Sequence, residues 1–392
     1  MRRGFTFSVR TAWNVSETEL ARAIAERRAS GLPLLDLTAS NPTRCGFVYD
    51  EAAILAPLND RQSLVYDPDP HGMRRAREAV AGYYADHAAA VDPEHLLLTT
   101  STSEAYSFLF RLLSDPEDEV LIAQPSYPLL DFLAQLENVR LVPYSLFYDH
   151  GWQLDADSIR RRITPKTRAI ALVHPNNPTG HFTKDAERSG LEAICAEHDL
   201  ALIVDEVFLD YGIGGHAWRS FASGPHPVLT FVLSGLSKIA ALPQMKAAWI
   251  AAFGPLEQLK AASGRLEVIA DTFLPMNAPI QCAIPSWIAG RHGLQSQIAD
   301  RVGGNLRQLD LILAGQSLVS RLQVEAGWYA VLRVPAIIPG EELAVRLVRE
   351  HGVSVHPGYF FGFAGDGWLV ASLLTPPEEF GAGIMAICSI YQ

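Results

Sequence analysis

Lys238 is the residue whose surroundings most suggest covalent chemistry. It follows the apolar run Val228-Leu229-Thr230-Phe231-Val232-Leu233, which Pro227 and Gly235 bound. A run this short and β-branched reads as a buried strand, so the lysine stands at the rim of a core. Desolvation there favours the neutral amine, the form that attacks a carbonyl and the form a Schiff-base lysine needs. A lysine that only snorkels to solvent is the other reading, and its neighbours decide between them.

Other apolar runs also end in polar groups. His95 to Thr100 leads into Ser101-Thr102-Ser103-Glu104, where hydroxyls and backbone N–H groups gather at a helix start. That is either an anion cradle or a simple N-cap formed by Thr102 or Ser103. Ala169 to Val173 ends in His174-Pro175-Asn176-Asn177-Pro178-Thr179-Gly180, and Leu200 to Val204 ends in Asp205-Glu206. An aspartate closing an apolar strand is costly unless paired, whether by a protonated ring nitrogen or by a structural hydrogen-bond network.

The elements that must position these groups set the fold class. At 392 residues the chain exceeds what one hydrophobic core holds, and its 48% hydrophobic content suffices for two. Seven short apolar runs alternate with amphipathic segments: those near residues 95–100, 120–123, 140–144, 169–173, 200–204, 228–233 and 247–252. The pattern implies an α/β fold with a mostly parallel seven-stranded sheet between helices. Ligands then bind beyond the carboxyl ends of the strands. Later runs at 328–334, 353–355 and 368–374, with a helix at 342–350, form a smaller α+β domain.

A helix over Ser16 to Ala29, with Ser16 as its cap, and a polar turn from Ala39 to Gly46 precede the sheet. The expected division is an N-terminal segment, 1–45, joining the small domain, then a large domain, 46–285, and a small C-terminal domain, 286–392.

A net charge of −11 without a basic face argues against nucleic acid and anionic membranes and leaves small molecules as partners. Cys45, Cys195, Cys282 and Cys388 lie too far apart for a metal site and read as buried thiols. No apolar segment follows the basic Met1-Arg2-Arg3-Gly4-Phe5, so the expected location is the cytoplasm. No Gly-x-Gly-x-x-Gly opens a helix after a strand, which disfavours a nicotinamide oxidoreductase.

Taken together, Asn-Pro-Thr-Gly at 177–180, Asp205-Glu206 and Ser237-Lys238 resemble the class I/II aminotransferases of fold type I, the aspartate aminotransferase superfamily, in order and spacing. Tyr66-Asp67-Pro68 with Gly72, Pro125-Ser126-Tyr127-Pro128, and Pro357-Gly358 with Phe361-Gly362 extend the resemblance over nearly the whole chain. It implies an enzyme that uses pyridoxal 5'-phosphate (PLP) to move an amino group from a donor to a 2-oxo acid or related carbonyl acceptor. It further implies that Lys238 holds the cofactor as an internal aldimine and shuttles the proton, while Asp205 keeps the pyridinium nitrogen protonated. Asn177 would donate to the phenolic oxygen and Tyr127 would stack on the ring. The phosphate would meet Ser101, Thr102, Ser103, Ser237 and Lys246, with Tyr66 reaching in from the other subunit of a homodimer. No metal is implied.

Five positions depart from the family pattern. Ser101 stands for a common glycine, Gly235 for a serine, and Lys246 for an arginine. Val370 stands where the family supplies an arginine for the substrate α-carboxylate, which leaves Arg44 and Arg10 as candidate replacements or as plain surface residues. The departure keeps a PLP-dependent lyase, decarboxylase or amino-acid oxidase in view, because substrate orientation decides which bond breaks. A non-catalytic PLP-binding sensor is disfavoured, since no helix-turn-helix precedes Leu34. Phe208 replaces a tyrosine that would donate to the phenolic oxygen. Phe208→Tyr should therefore lower the pKa of the aldimine by stabilising that oxyanion. Coincident spectrophotometric titration curves for the two holoenzymes would refute this.

Overall fold

A computed structural model describes residues 6–214 and 218–391, so the basic opening Met1-Arg2-Arg3-Gly4-Phe5 lies outside the described residues. β1 (Leu35–Asp36) comes first in the chain. The central sheet follows with β2 (Leu96–Thr99), β3 (Glu119–Gln124), β4 (Arg140–Tyr148), β5 (Trp152–Leu154), β6 (Thr167–Val173), β7 (Ala201–Asp205), β8 (Thr230–Gly235) and β9 (Ala248–Phe253). Their order across the sheet is β2-β9-β8-β7-β6-β3-β4-β5. The pairs from β4 through β3, β6 and β7 to β8 are parallel, whereas β9 is antiparallel to both β8 and β2.

All seven runs read from the sequence are strands of this sheet, and β5 adds an eighth by folding back antiparallel on β4. At three residues it is too short to show a periodic signal. Alternate residues of each central strand enter two separate cores. Leu121, Ile170, Leu202 and Val232 join one, while Val120, Ala169, Ala201 and Phe231 join the other. Burial on both faces explains why these strands read as unbroken apolar runs.

The small domain carries β10 (Ser320–Arg321), β11 (Tyr329–Arg333), β12 (Val353–Ser354), β13 (His356–Pro357) and β14 (Trp368–Ser372). Four of them form a sheet in the order β10-β11-β14-β13, and β12 pairs in parallel with β1 from the N-terminal segment.

Helix boundaries differ from expectation in three places. The first α-helix is Glu19–Ala29, capped by Thr18, whose hydroxyl accepts the Ala21 N–H at 3.1 Å. Ser16 is instead held by the Asn14 side chain, which accepts its N–H at 3.0 Å. The helix Ala278–Gly290 went unread because Pro285 interrupts its pattern. The predicted helix at 342–350 is Gly340–Arg346 followed by a π-turn, Leu347–His351.

Gly235 closes β8 where β9 presses against it. A Cβ there would lie 2.8 Å from Ala248 Cβ and 2.9 Å from the Ala247 carbonyl oxygen, so its lack of a side chain is a packing requirement. Gly235→Ala should destabilise the fold by about 1–3 kcal/mol through overpacking. The expected result is a lower denaturant midpoint at unchanged m-value.

Candidate active site

The carboxyl ends of the central strands open on one cavity of about 490 Å³ between the large and small domains. Register brings the chemistry together: Val173 of β6 pairs with Asp205 of β7, and Asp205 pairs with Leu233 of β8. Asn177 lies four residues past β6, and Ser237 and Lys238 lie on the short turn of helix Leu236–Ile239 after β8. Thr102 and Ser103 open the helix Thr102–Leu113 after β2, and Tyr127 comes from the loop after β3. Asp205, Asn177, Ser237, Lys238, Thr102, Ser103 and Tyr127 all line the cavity.

Ser101 does not line it. Its hydroxyl accepts the Glu104 N–H at 3.1 Å, and the Glu104 carboxylate accepts the Thr100 N–H at 2.6 Å. Ser101 is thus the N-cap that the sequence assigned to Thr102 or Ser103, and this reciprocal capping leaves those two residues to face the cavity. Lys246 is exposed in a left-handed conformation after the turn Pro243–Met245 and stands off the cavity. Tyr66 is 75% exposed and does not contact the cavity of its own chain.

Arg44 and Arg10 are exposed as well. Arg10 donates to the Leu136 carbonyl at 3.1 Å and so ties down the N-terminal segment. Val370 is fully buried in β14 between Val331 and His356. No arginine lines the cavity among the described residues.

Burial acts on Asp205 and Lys238 in opposite senses. It pushes the Asp205 carboxyl up to about 6, against the Val207 N–H that it accepts at 3.1 Å, the nearby Tyr106 hydroxyl and the Lys238 charge. It lowers the Lys238 ammonium to about 8, opposed by Asp205. The lysine is held by its own backbone, since the Tyr211 hydroxyl donates to its carbonyl at 2.6 Å. Its Nζ lies 4.9 Å from the Trp328 ring centre and 5.6 Å from that of Phe208, so aromatic faces replace water around it. Glu206 is fully buried and does not line the cavity; the Ser220 hydroxyl and the Phe221 N–H donate to its carboxylate at 2.6 Å each, a structural pairing.

The cavity leaves polar groups without protein partners. Asn177 Oδ1 is buried and unbonded, the Tyr106 hydroxyl has the Asp205 carboxylate beside it, and the helix start offers N–H groups without intrahelical partners at Thr102 and Ser103. Unsatisfied groups on this scale fit a ligand that is polar on its edges, anionic at one end and flat enough to lie under Tyr127. Sequence reasoning missed Tyr106, Tyr211, Trp328, Tyr329 and His356. In the sequence they look like helix, turn and strand residues, and nothing in their spacing marks them out.

The family model for aminotransferases of class I and II matches residues 35–380. The glutamate-pyruvate aminotransferase AlaA of Escherichia coli (strain K12) is 28% identical over 277 residues, covering 70% of this chain and 68% of that protein. The aspartate/prephenate aminotransferase of Thermus thermophilus is 27% identical over 366 residues, 90% of each chain. A crystal structure of an aminotransferase from Escherichia coli superposes with a TM-score of 0.89 at 22% identity, over 99% of this chain and 98% of the other.

The depressed ammonium of Lys238 has a direct chemical consequence. Reductive methylation with formaldehyde and cyanoborohydride, read by peptide mass spectrometry across pH, should label Lys238 in cofactor-free protein with a midpoint near 8. An ordinary lysine titrates near 10.5. A Lys238 midpoint at the ordinary value would show that burial does not neutralise it.

Proposed function

The chain belongs to the aminotransferases of class I and II, and from that premise we propose that it carries PLP on Lys238 and exchanges amino groups between small molecules. It is an enzyme that transfers nitrogenous groups, and its kinship favours amino transfer over decarboxylation, elimination or oxidation on the same fold. The observation that carries the cofactor assignment is the facing of Lys238 and Asp205 across one cavity from adjacent strand ends. When bound, PLP supplies an aldehyde for the amino group and a ring that accepts the electron pair freed at the substrate carbon.

The remaining work falls to the chain's own residues. Thr102 and Ser103, at a positively polarised helix start, with Ser237, would hold the phosphate. Asp205, ionised above about 6, would keep a proton on the ring nitrogen. Asn177, which lines the cavity, would donate its amide N–H to the ring oxygen, and Tyr127 would cover the ring. Lys238, neutral above about 8, provides the amine that takes and returns the proton at the substrate carbon.

Ser101 acts in this reading as the cap that orients the phosphate helix. Lys246 reaches the phosphate only if its turn moves, because it now stands clear of the cavity. Arg44 and Arg10 have no substrate role unless the segments that carry them close over the cavity. The reading includes a homodimer in which Tyr66 serves the partner's site. The contiguous exposure of Leu64, Val65 and Tyr66 at 84%, 64% and 75% supports it, because such an apolar run favours a covered surface. Residues 46–285 then form the cofactor domain and 286–392 the small domain. Four free, buried cysteines suit a reducing compartment and a cytoplasmic enzyme.

Lys238→Ala should abolish the near-visible cofactor band and amino transfer together. Asp205→Asn should keep the band and slow transfer by about 10²–10⁴-fold, the scale of a lost acid–base partner. The assay uses glutamate with pyruvate, the pair in the name of the Escherichia coli relative, alongside simple amines. An unchanged visible spectrum in Lys238→Ala would overturn the assignment.

A further inference from the structure

The cavity has two unlike walls. Its large-domain side carries Thr102, Ser103, Asn177, Asp205, Ser237 and Lys238, whereas the small domain contributes Tyr329, His356, Phe360 and Phe361. Once Lys238 and the helix start are engaged by a cofactor, no fixed positive charge remains among the described lining residues. Among the described residues, His356 is the only basic group on the small-domain wall.

Sheet register explains how the histidine gets there. In the antiparallel pairs His356 is directly opposite Val370, and Val370 is opposite Val331, so the three side chains share one face. Val331 and Val370 are buried in the core, and only His356, on edge strand β13, turns into the cavity. Its ring stacks on Phe360 at 4.9 Å with a 9° tilt and meets Phe361 edge-on at 5.6 Å. Among the described residues no protein hydrogen bond engages either ring nitrogen. Burial favours the neutral imidazole, against Asp36 of β1. That carboxylate is itself occupied by the N–H of Thr38 at 2.9 Å and by its hydroxyl at 2.5 Å.

A neutral imidazole offers one N–H and one acceptor, which suits a hydroxyl or an amide. A carboxylate pressed against it would be a buried charge without a counter-charge. Beyond Phe360 the cavity adjoins a second hollow of about 480 Å³, which shares Tyr127, Leu130, Phe360 and Phe361 and continues to Phe132 and Leu141. The wall therefore accommodates bulk and apolar surface but not an anion.

We propose that His356 and the aromatic side chains around it make this enzyme select an amino donor whose end toward the small domain is uncharged, such as an arylalkyl or alkyl amine, an amino alcohol or an amino amide, over a 2-amino acid. The inference rests on the aminotransferase reading. The exchange balances without an outside oxidant: the donor's C–N bond breaks and it leaves as the carbonyl compound, while a carbonyl acceptor gains the amino group and leaves as the amine.

The test uses the holoenzyme and donors matched except for the carboxylate: L-phenylalanine, L-phenylalaninamide and 2-phenylethylamine. Single-turnover change of the cofactor spectrum should favour the two uncharged donors by about tenfold or more. Calorimetric titration with 3-phenylpropan-1-ol and 3-phenylpropanoate should give the same order without turnover. His356→Arg should shift both preferences toward the carboxylate by about tenfold, and His356→Gln, a neutral donor and acceptor, should keep the wild-type order. Circular dichroism and the cofactor band check that each variant is folded and loaded. Tighter binding of the carboxylate by the wild type, or an unchanged preference in folded His356→Arg, would overturn the inference. The binding comparison needs no transfer, so an enzyme that binds in the expected order yet transfers nothing counts against the proposed function and leaves the role of His356 standing.

Discussion

The opposition of Asp205 and Lys238 in a water-poor cavity is the constraint on which the rest of the structure turns. Each is the other's nearest counter-charge, yet both remain shifted toward neutrality, the carboxyl up to about 6 and the ammonium down to about 8. Desolvation therefore outweighs their mutual attraction, as expected where two charges share too few hydrogen bonds. A site left in that condition stores a preference for a polar ligand, because a ligand supplies the partners that the protein withholds. Stability is given up locally so that binding is favoured there.

That opposition survives only because rigid elements enforce it. Parallel pairing of β7 with β8 fixes the two strand ends side by side, and the two apolar cores hold the strands from both faces. The Tyr211 hydroxyl pins the carbonyl of Lys238, so the side chain alone is left to move. Capping of the helix Thr102–Leu113 by Ser101 and Glu104 sets the helix start relative to the same strand ends. Little of this machinery touches a ligand, yet without it the polar groups would relax toward one another or toward water.

Much of the large domain was legible because its strands obey one simple rule. Burial on both faces produces continuous apolar runs, and polar residues at their ends stand out against them, which is how Lys238, Asp205 and Asn177 could be found. Ser101 could not be told from Thr102 and Ser103, since three adjacent hydroxyls compete for one cap and only geometry decides. β5 and the helix through Pro285 were hidden, one by its length and the other by a residue that ordinarily ends helices. His356 was invisible for a different reason. Its significance comes from a cross-strand neighbour fourteen residues away, and register between short strands is not written in local pattern.

The small-domain wall also shows why chemistry and packing are divided between neighbouring strands. β14 lies between β11 and β13, and its Val370 is wholly buried, so a charge there would have to be desolvated inside the core. β13 is an edge strand, and a side chain on it can face the cavity while the core behind it stays apolar. Placing the polar ring on β13 and a valine on β14 therefore gives a wall that can hydrogen-bond without holding a fixed charge. The flanking stack of Phe360 reinforces that outcome, because an aromatic face pressed on the imidazole removes water that would otherwise solvate its cation. Sheet order, and not the cavity's volume, thus sets the charge that the small-domain wall can offer.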